Sequence, residues 1–157
     1  MAGLNTTLLW SSEEETQQFG RRLAPLLVPG DVLLLEGEIG AGKSFLARAV
    51  IRARCGEEID VPSPTFTLVQ AYDDGPVEIW HADLYRLTDP EEAIGLGLAD
   101  AFETAICLVE WPGQRGPYRP DTALTISLTA TETGHRAVLS GADDWRDRLK
   151  EVLADAR

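Results

Sequence analysis

The chain has 157 residues, 44% hydrophobic and 25% charged, enough for one domain with a core of its own. Lys and Arg total 14 against 26 Asp and Glu, a net charge of −12. That balance excludes a protein that grips nucleic acid directly, because phosphate contacts need a basic face. It fits plain solubility first and docking on a basic protein surface second. No apolar stretch approaches the roughly 18 residues a membrane span needs, and no basic-then-apolar leader opens the chain. The expected compartment is the cytoplasm, without membrane contact. Two cysteines, Cys55 and Cys107, read as buried free thiols of a reducing compartment, with no zinc spacing.

Thr6 to Trp10 is short and β-prone, and predicts a strand. Ser11 or Ser12 then caps a helix whose first turn carries Glu13, Glu14 and Glu15, where negative charge suits the dipole. Phe19, Leu23, Leu26 and Leu27 continue that helix until Pro29-Gly30 stops it. The first unit serves packing; its strand also ends where a nucleotide base would lie, which makes Trp10 and Ser12 candidate contacts.

Asp31 to Leu35 is a short apolar run, right for a buried strand. Gly37-Glu38-Ile39-Gly40-Ala41-Gly42-Lys43-Ser44 follows, which reads G-x-x-x-x-G-K-[ST], the phosphate-binding loop of nucleoside-triphosphate proteins. Glycines let successive N–H groups turn inward around a phosphate. Lys43 adds a point charge at the β- and γ-phosphates, and the Ser44 hydroxyl is placed for Mg²⁺. From Ser44 the sequence runs to Cys55-Gly56 without a breaker, predicting a helix whose positive end faces the same phosphates. Strand, loop and helix are the context this motif requires.

Pro62 and Pro64 forbid helix around Ser63 and Thr65, and the apolar-rich residues after them predict a strand. Thr65 sits where many P-loop proteins carry a segment that senses the γ-phosphate; an ordinary proline-rich connection is the plainer reading. Gly75-Pro76 predicts a turn between strands at Gln70 to Asp74 and Val77 to His81, hence a mixed sheet. Asp83 falls at a strand end, where an open α/β sheet carries catalytic carboxylates, although a turn or cap is the commoner job for a lone Asp. His81 reads as structural. Asp89 and Pro90 open a helix that Gly95 and Gly97 break, and Leu98 to Thr104 forms a second short one.

Ala105 to Trp111 is an apolar run with Glu110 near its end. This is the pattern of the strand that carries the Mg²⁺-linked carboxylate in P-loop proteins; an acid facing water is the alternative. Trp111 lines the nucleotide site, forms a docking surface or simply packs. Arg115 and Arg119, in the loop over residues 112–120, are candidate phosphate clamps. Leu124 to Thr129 and His135 to Ser140 predict another hairpin, and Asp143 or Asp144 caps a last helix from Trp145 to Ala154. The expected fold is a single α/β P-loop domain over residues 1–157, with a mixed central sheet flanked by helices. By themselves these residues specify an Mg-ATP hydrolase or switch. A small-molecule kinase and a nucleotide-gated binding module with little turnover are the alternatives.

Four stretches occur together in order: GEIGAGKS at 37–44, SPTFTLV at 63–69, HADLYRL at 81–87 and LVEWP at 108–112. Together they resemble the TsaE (YjeE) family, bacterial P-loop ATPases needed to make N6-threonylcarbamoyladenosine in tRNA. The resemblance runs from about Trp10 to Leu139. It implies ATP and Mg²⁺ as ligands, with Lys43 and the loop backbone on the phosphates and Ser44 and Glu110 on the metal. It implies Thr65 in a switch-like segment, Asp83 required for hydrolysis, Trp111 beside the nucleotide, and Arg136 as a basic residue near it. It also implies that the protein binds the TsaB–TsaD pair and resets it by nucleotide turnover, meeting tRNA only indirectly. Ser44 stands where Thr is common in the family, and Ile39 where Leu is usual.

Overall fold

The computed structural model describes residues 3–37, 42–62, 69–83, 97–111 and 122–155. Among them are seven strands: β1 (Leu4–Trp10), β2 (Val32–Glu36), β3 (Val69–Asp73), β4 (Glu78–Asp83), β5 (Ile106–Trp111), β6 (Leu124–Ala130) and β7 (His135–Gly141). The helices are α1 (Glu13–Leu23), α2 (Lys43–Cys55), α3 (Leu98–Thr104), α4 (Asp143–Arg148) and α5 (Lys150–Asp155). The strands form one sheet in the order β1-β7-β6-β2-β5-β4-β3. β2 runs parallel to both β5 and β6, and β4 parallel to β5. β3–β4 and β6–β7 are antiparallel, and β1 joins the edge of β7 antiparallel. The sheet is therefore mixed, as the Gly75-Pro76 hairpin predicts.

β2 sits in the middle, and all five of its residues are buried. A strand covered on both faces reads as a continuous apolar run rather than an alternation, which is why Val32 to Leu35 carries no period. Leu33 and Leu35 join the larger core with Leu46, Val50 and Ile51 of α2 and Phe19 and Leu23 of α1. Val32 and Leu34 face the other way, packing with Cys107 and Val109 of β5, Ala82 of β4 and Ala101 of α3. Helices thus cover both faces of the parallel centre, and the loop that leaves β2 emerges at its carboxyl end.

α1 starts as the sequence predicts. Ser12 is the cap, and its hydroxyl accepts from the Glu15 amide at 3.3 Å. Glu15 reaches back to the Ser11 amide and hydroxyl, both at 2.6 Å, and these bonds hold its carboxyl below the usual range. The α-helix stops at Leu23 rather than continuing to Leu27. Ala24–Leu26 tightens to a 3₁₀ turn, because Pro25 has no N–H to extend the ladder. Arg54 at the end of α2 donates to the carbonyls of Ala24 and Leu27, each at 2.8 Å, and pairs with Asp74 at 2.8 Å. One guanidinium therefore ties together α2, the turn after α1 and the β3–β4 turn.

The carboxyl-terminal helix is two helices. Regular helix is interrupted at Leu149 (φ −95°, ψ 3°), and Trp145, Leu149 and Val152, spaced i, i+4 and i+7, all reach the core. The cap is Ala142 in extended geometry; Asp143 and Asp144 lie in the first turn, where they complement the dipole instead. Arg148 lies 4.1 Å above the Trp145 ring and donates to Asp31 and to the Leu26 carbonyl, anchoring these helices to the entrance of β2. Cys55 is half-buried rather than buried, while Cys107 is buried as expected. The expected helix at 89–96 lies outside the described residues. Among the described residues no helix is long and apolar enough to cross a membrane.

α1 and α2 touch at Gly20, where an added methyl carbon would lie 2.8 Å from the Ala49 Cβ. Gly20→Val is expected to force the helices apart and lower stability by about 1–3 kcal/mol, read as a drop in the thermal unfolding midpoint. Burial pushes the Cys107 thiol up to about 12. At pH 8 only about one Cys107 in ten thousand is then thiolate, the reactive form. Iodoacetamide at that pH is expected to label Cys107 only in denaturant, with Cys55 labelled first, as mass spectrometry of timed digests would report.

Candidate nucleotide and metal site

The site assembles at the carboxyl end of the parallel strands, where open α/β sheets bind ligands. β2 ends at Glu36, and α2 begins at Lys43 with Gly42 as its cap. Gly42 has φ +100°, a backbone region that L side chains rarely adopt, which accounts for glycine at this position. It contributes no side-chain cap, so the first amides of α2 stay available to an anion. Lys43 is buried, and its ammonium donates to the Gly37 carbonyl. An ammonium has three donors, so this bond aims the side chain along the loop and leaves capacity for phosphate oxygens.

Ser44 begins the next turn. Its hydroxyl lies 2.9 Å from each carboxylate oxygen of Glu110, which is 66 positions away in sequence. β5 is sandwiched between β2 and β4, and Glu110 pairs laterally with Leu35 on one side and Asp83 on the other. Alternation then points His81, Asp83 and Glu110 to the α2 face of the sheet. His81 and Glu110 are 1% and 4% exposed, and His81 Nε2 lies 2.6 Å from Glu110 Oε2. A carboxylate in such a place needs compensation. It receives it from Ser44 and His81.

A hydroxyl and a carboxylate at the head of a phosphate-binding helix are hard oxygen donors, the set Mg²⁺ prefers. No three His, Cys, Asp or Glu side chains among the described residues gather into a cage. Mg²⁺ keeps several waters and is completed by phosphate oxygens rather than by an all-protein shell. The residues present therefore fit the metal.

On the other side of Gly42 lies a pocket of about 150 Å³, lined by Trp10, Glu13, Thr16, Gly42, Phe45, Leu128 and His135. Trp10 and His135 are cross-strand neighbours on β1 and β7. The Trp10 ring packs on Phe19 with centroids 5.2 Å apart, which fixes that wall. The lining is mostly apolar, with Glu13, Thr16 and His135 as its polar members.

Of the residues singled out in the sequence, Lys43, Ser44, Asp83 and Glu110 come together at the strand ends, and Trp10 lines the adjoining pocket. The Ser12 hydroxyl is engaged in capping α1. Arg136 is exposed on β7, and alternation puts it on the sheet face opposite His135, so it is not brought to the pocket. His135, Glu13 and Phe45 are there instead. Only the pairing of β1 with β7 brings them close, and no local signal in the sequence reports that pairing. Glu38, Ile39, Gly40, Ala41 and Thr65, the arginines at 115 and 119, and the Trp111 side chain lie outside what is described.

A family model for the threonylcarbamoyl adenosine biosynthesis protein TsaE matches residues 10–138. The tRNA threonylcarbamoyladenosine biosynthesis protein TsaE of Rickettsia bellii is 43% identical over 111 residues, covering 71% of this chain and 77% of its own. That of Bacillus subtilis is 41% identical over 126 residues, covering 80% and 78%. The Rickettsia felis protein is 44% identical over 104 residues, which span 66% of this chain and 61% of its own length. The crystal structure of Bacillus subtilis YdiB superposes with a TM-score of 0.76 at 25% identity, over 99% of this chain and 97% of that one. The match to the family covers the phosphate loop, the strand bearing Glu110 and the pocket walls alike, and this chain belongs to the TsaE family of threonylcarbamoyladenosine biosynthesis proteins.

Proposed function

We propose that the protein is an Mg²⁺-dependent ATPase that supports threonylcarbamoyladenosine modification of tRNA by binding and resetting a TsaB–TsaD complex. The observation that carries this reading is the pair of 2.9 Å contacts from Ser44 at the head of α2 to Glu110 at the end of β5. They join the phosphate loop to a buried carboxylate, the two halves of a P-loop metal site.

The geometry supports the following roles. The α2 amides and Lys43 hold the phosphates, and Ser44 and Glu110 would hold Mg²⁺. Held by these two residues, Mg²⁺ would supply positive charge against the negative charge of the β- and γ-phosphate oxygens. Asp83, beside Glu110 on β4, is suited to orient the attacking water or to take its proton. The pocket between Trp10, Phe45 and His135 is suited to the base, which aromatic rings bind through its face. Thr65 is assigned to the γ-phosphate-sensing segment by its place in the sequence, and Trp111 to the nucleotide's surroundings. An acidic protein without a basic face acts on tRNA modification through protein contacts, in the cytoplasm. Slow turnover alone and faster turnover in the complex is the behaviour expected of a P-loop switch completed by a partner.

Phosphate release should be measured with the purified protein alone and with TsaB and TsaD, each repeated with Glu110→Ala and Asp83→Ala. Partner-stimulated, Mg²⁺-dependent turnover is expected, falling about a hundredfold or more when the acid–base group is lost in Asp83→Ala, while that variant keeps its ATP affinity. Glu110→Ala is expected to lose metal dependence and turnover together. Turnover indifferent to the partners would leave an ATPase or kinase outside this pathway, and tight binding without turnover would leave a nucleotide-gated binding module. His135→Ala is expected to weaken ADP binding about tenfold, the scale of one lost base-stacking contact, as titration calorimetry would measure.

A further inference from the structure

A glutamate carboxylate can present either oxygen to a metal, in many orientations, unless something stops it turning. The terminal torsion of its side chain is broad and nearly unrestrained, so a carboxylate at the end of a strand samples many orientations. Glu110 does not have that freedom. Ser44 contacts both of its oxygens at 2.9 Å from the α2 side, and His81 contacts Oε2 at 2.6 Å from the β4 side. The single Ser44 proton is shared between the two oxygens, and among the described residues His81 engages Oε2 alone. The planar group is pinned by two separate elements, with Oε1 left as the oxygen able to take a cation.

His81 is an expensive residue for this position. Its ring is 1% exposed, one position below Ala82, which packs the opposite face of β4. Its Nδ1 is buried with no hydrogen-bond partner among the described residues, a cost that an apolar side chain would avoid. The single described hydrogen bond the ring makes is the one to Glu110. An ionised carboxylate only accepts, so Nε2 is the protonated nitrogen. We propose that His81 is a positioning residue for the metal site: it orients the Glu110 carboxylate so that Oε1 faces the cation. The proposal rests on the reading of Ser44 and Glu110 as the metal-holding pair. Donors that orient a ligand in this way typically contribute tenfold to a hundredfold in metal affinity.

The test measures Mn²⁺ binding to the ADP complex of the full chain by electron paramagnetic resonance, so that no turnover is needed. Two polar variants differ only in reach. The amide nitrogen of Gln in His81→Gln lies as many bonds from the backbone as Nε2 does, and that of Asn in His81→Asn stops at the Nδ1 position. His81→Gln is expected to hold Mn²⁺ within about threefold of the native protein, whereas His81→Asn weakens it about tenfold to a hundredfold. ADP affinity in EDTA should be unchanged in both. Glu110→Ala, measured alongside, is expected to weaken Mn²⁺ at least as much. If Glu110→Ala weakens Mn²⁺ and His81→Asn does not, or if Asn and Gln weaken it equally, the positioning role is wrong while the metal pair stands. If Glu110→Ala leaves Mn²⁺ binding intact, the metal pair itself is wrong and the role of His81 falls with it.

Discussion

A buried carboxylate is the constraint around which this protein is organised. Glu110 is 4% exposed at the end of a central strand, where charge is costly unless it is met by donors or a cation. Its donors come from the start of α2, the helix that follows β2, and from β4, and β2 and β4 are the two strands that flank β5 in the sheet. The sheet order thus has a chemical consequence. With β5 anywhere other than between β2 and β4, Glu110 would lose either the hydroxyl that opens the phosphate-binding helix or the imidazole that buttresses it.

Packing enforces the same order. β2 is buried on both faces, and so needs helices above and below and parallel neighbours at its sides. α1 and α2 supply one layer, meeting closely at Gly20, and α3 contributes to the other. The two arginine anchors, Arg54 and Arg148, stand at the far end of the molecule from the phosphate loop. Both bind carbonyls of the turn that follows α1. That end is closed by side chains onto backbone, while the loop end leaves its amides to a ligand.

Features written in contiguous residues were legible from the sequence. The phosphate loop, the serine cap at 11 or 12 with glutamates in the first turn, the Gly75-Pro76 hairpin and the acid after the β5 apolar run each depend on neighbours a few positions apart, where the physics is local. What escaped depends on elements remote in sequence. Whether residue 135 or 136 faces the pocket is decided by strand register, and a slip of one residue flips every side chain to the other face. The pocket is lined by His135, which the sequence reading did not single out. His81 read as structural because nothing near it in sequence reveals Glu110, 29 positions on, as its partner. The break at Leu149 was not legible either, because the helical period of Trp145, Leu149 and Val152 continues smoothly through it.

The two halves of the site rest on different parts of the fold, and Gly42 is the joint between them. The half with Lys43, Ser44 and Glu110 is built on β2, β4 and β5, parallel strands with cover on both faces. The pocket half is built on β1 and β7, antiparallel strands of which β1 is a sheet edge. A methyl carbon placed on Gly42 would lie 3.7 Å from the His135 ring, an ordinary contact, so space does not demand glycine there. The backbone does, because φ of +100° is strained for any L side chain by about 1–2 kcal/mol. Gly42 therefore sets the angle at which the chain leaves the pocket and enters α2. That angle fixes where Ser44 stands relative to Glu110, so the pocket wall and the metal pair are coupled through the backbone of one residue.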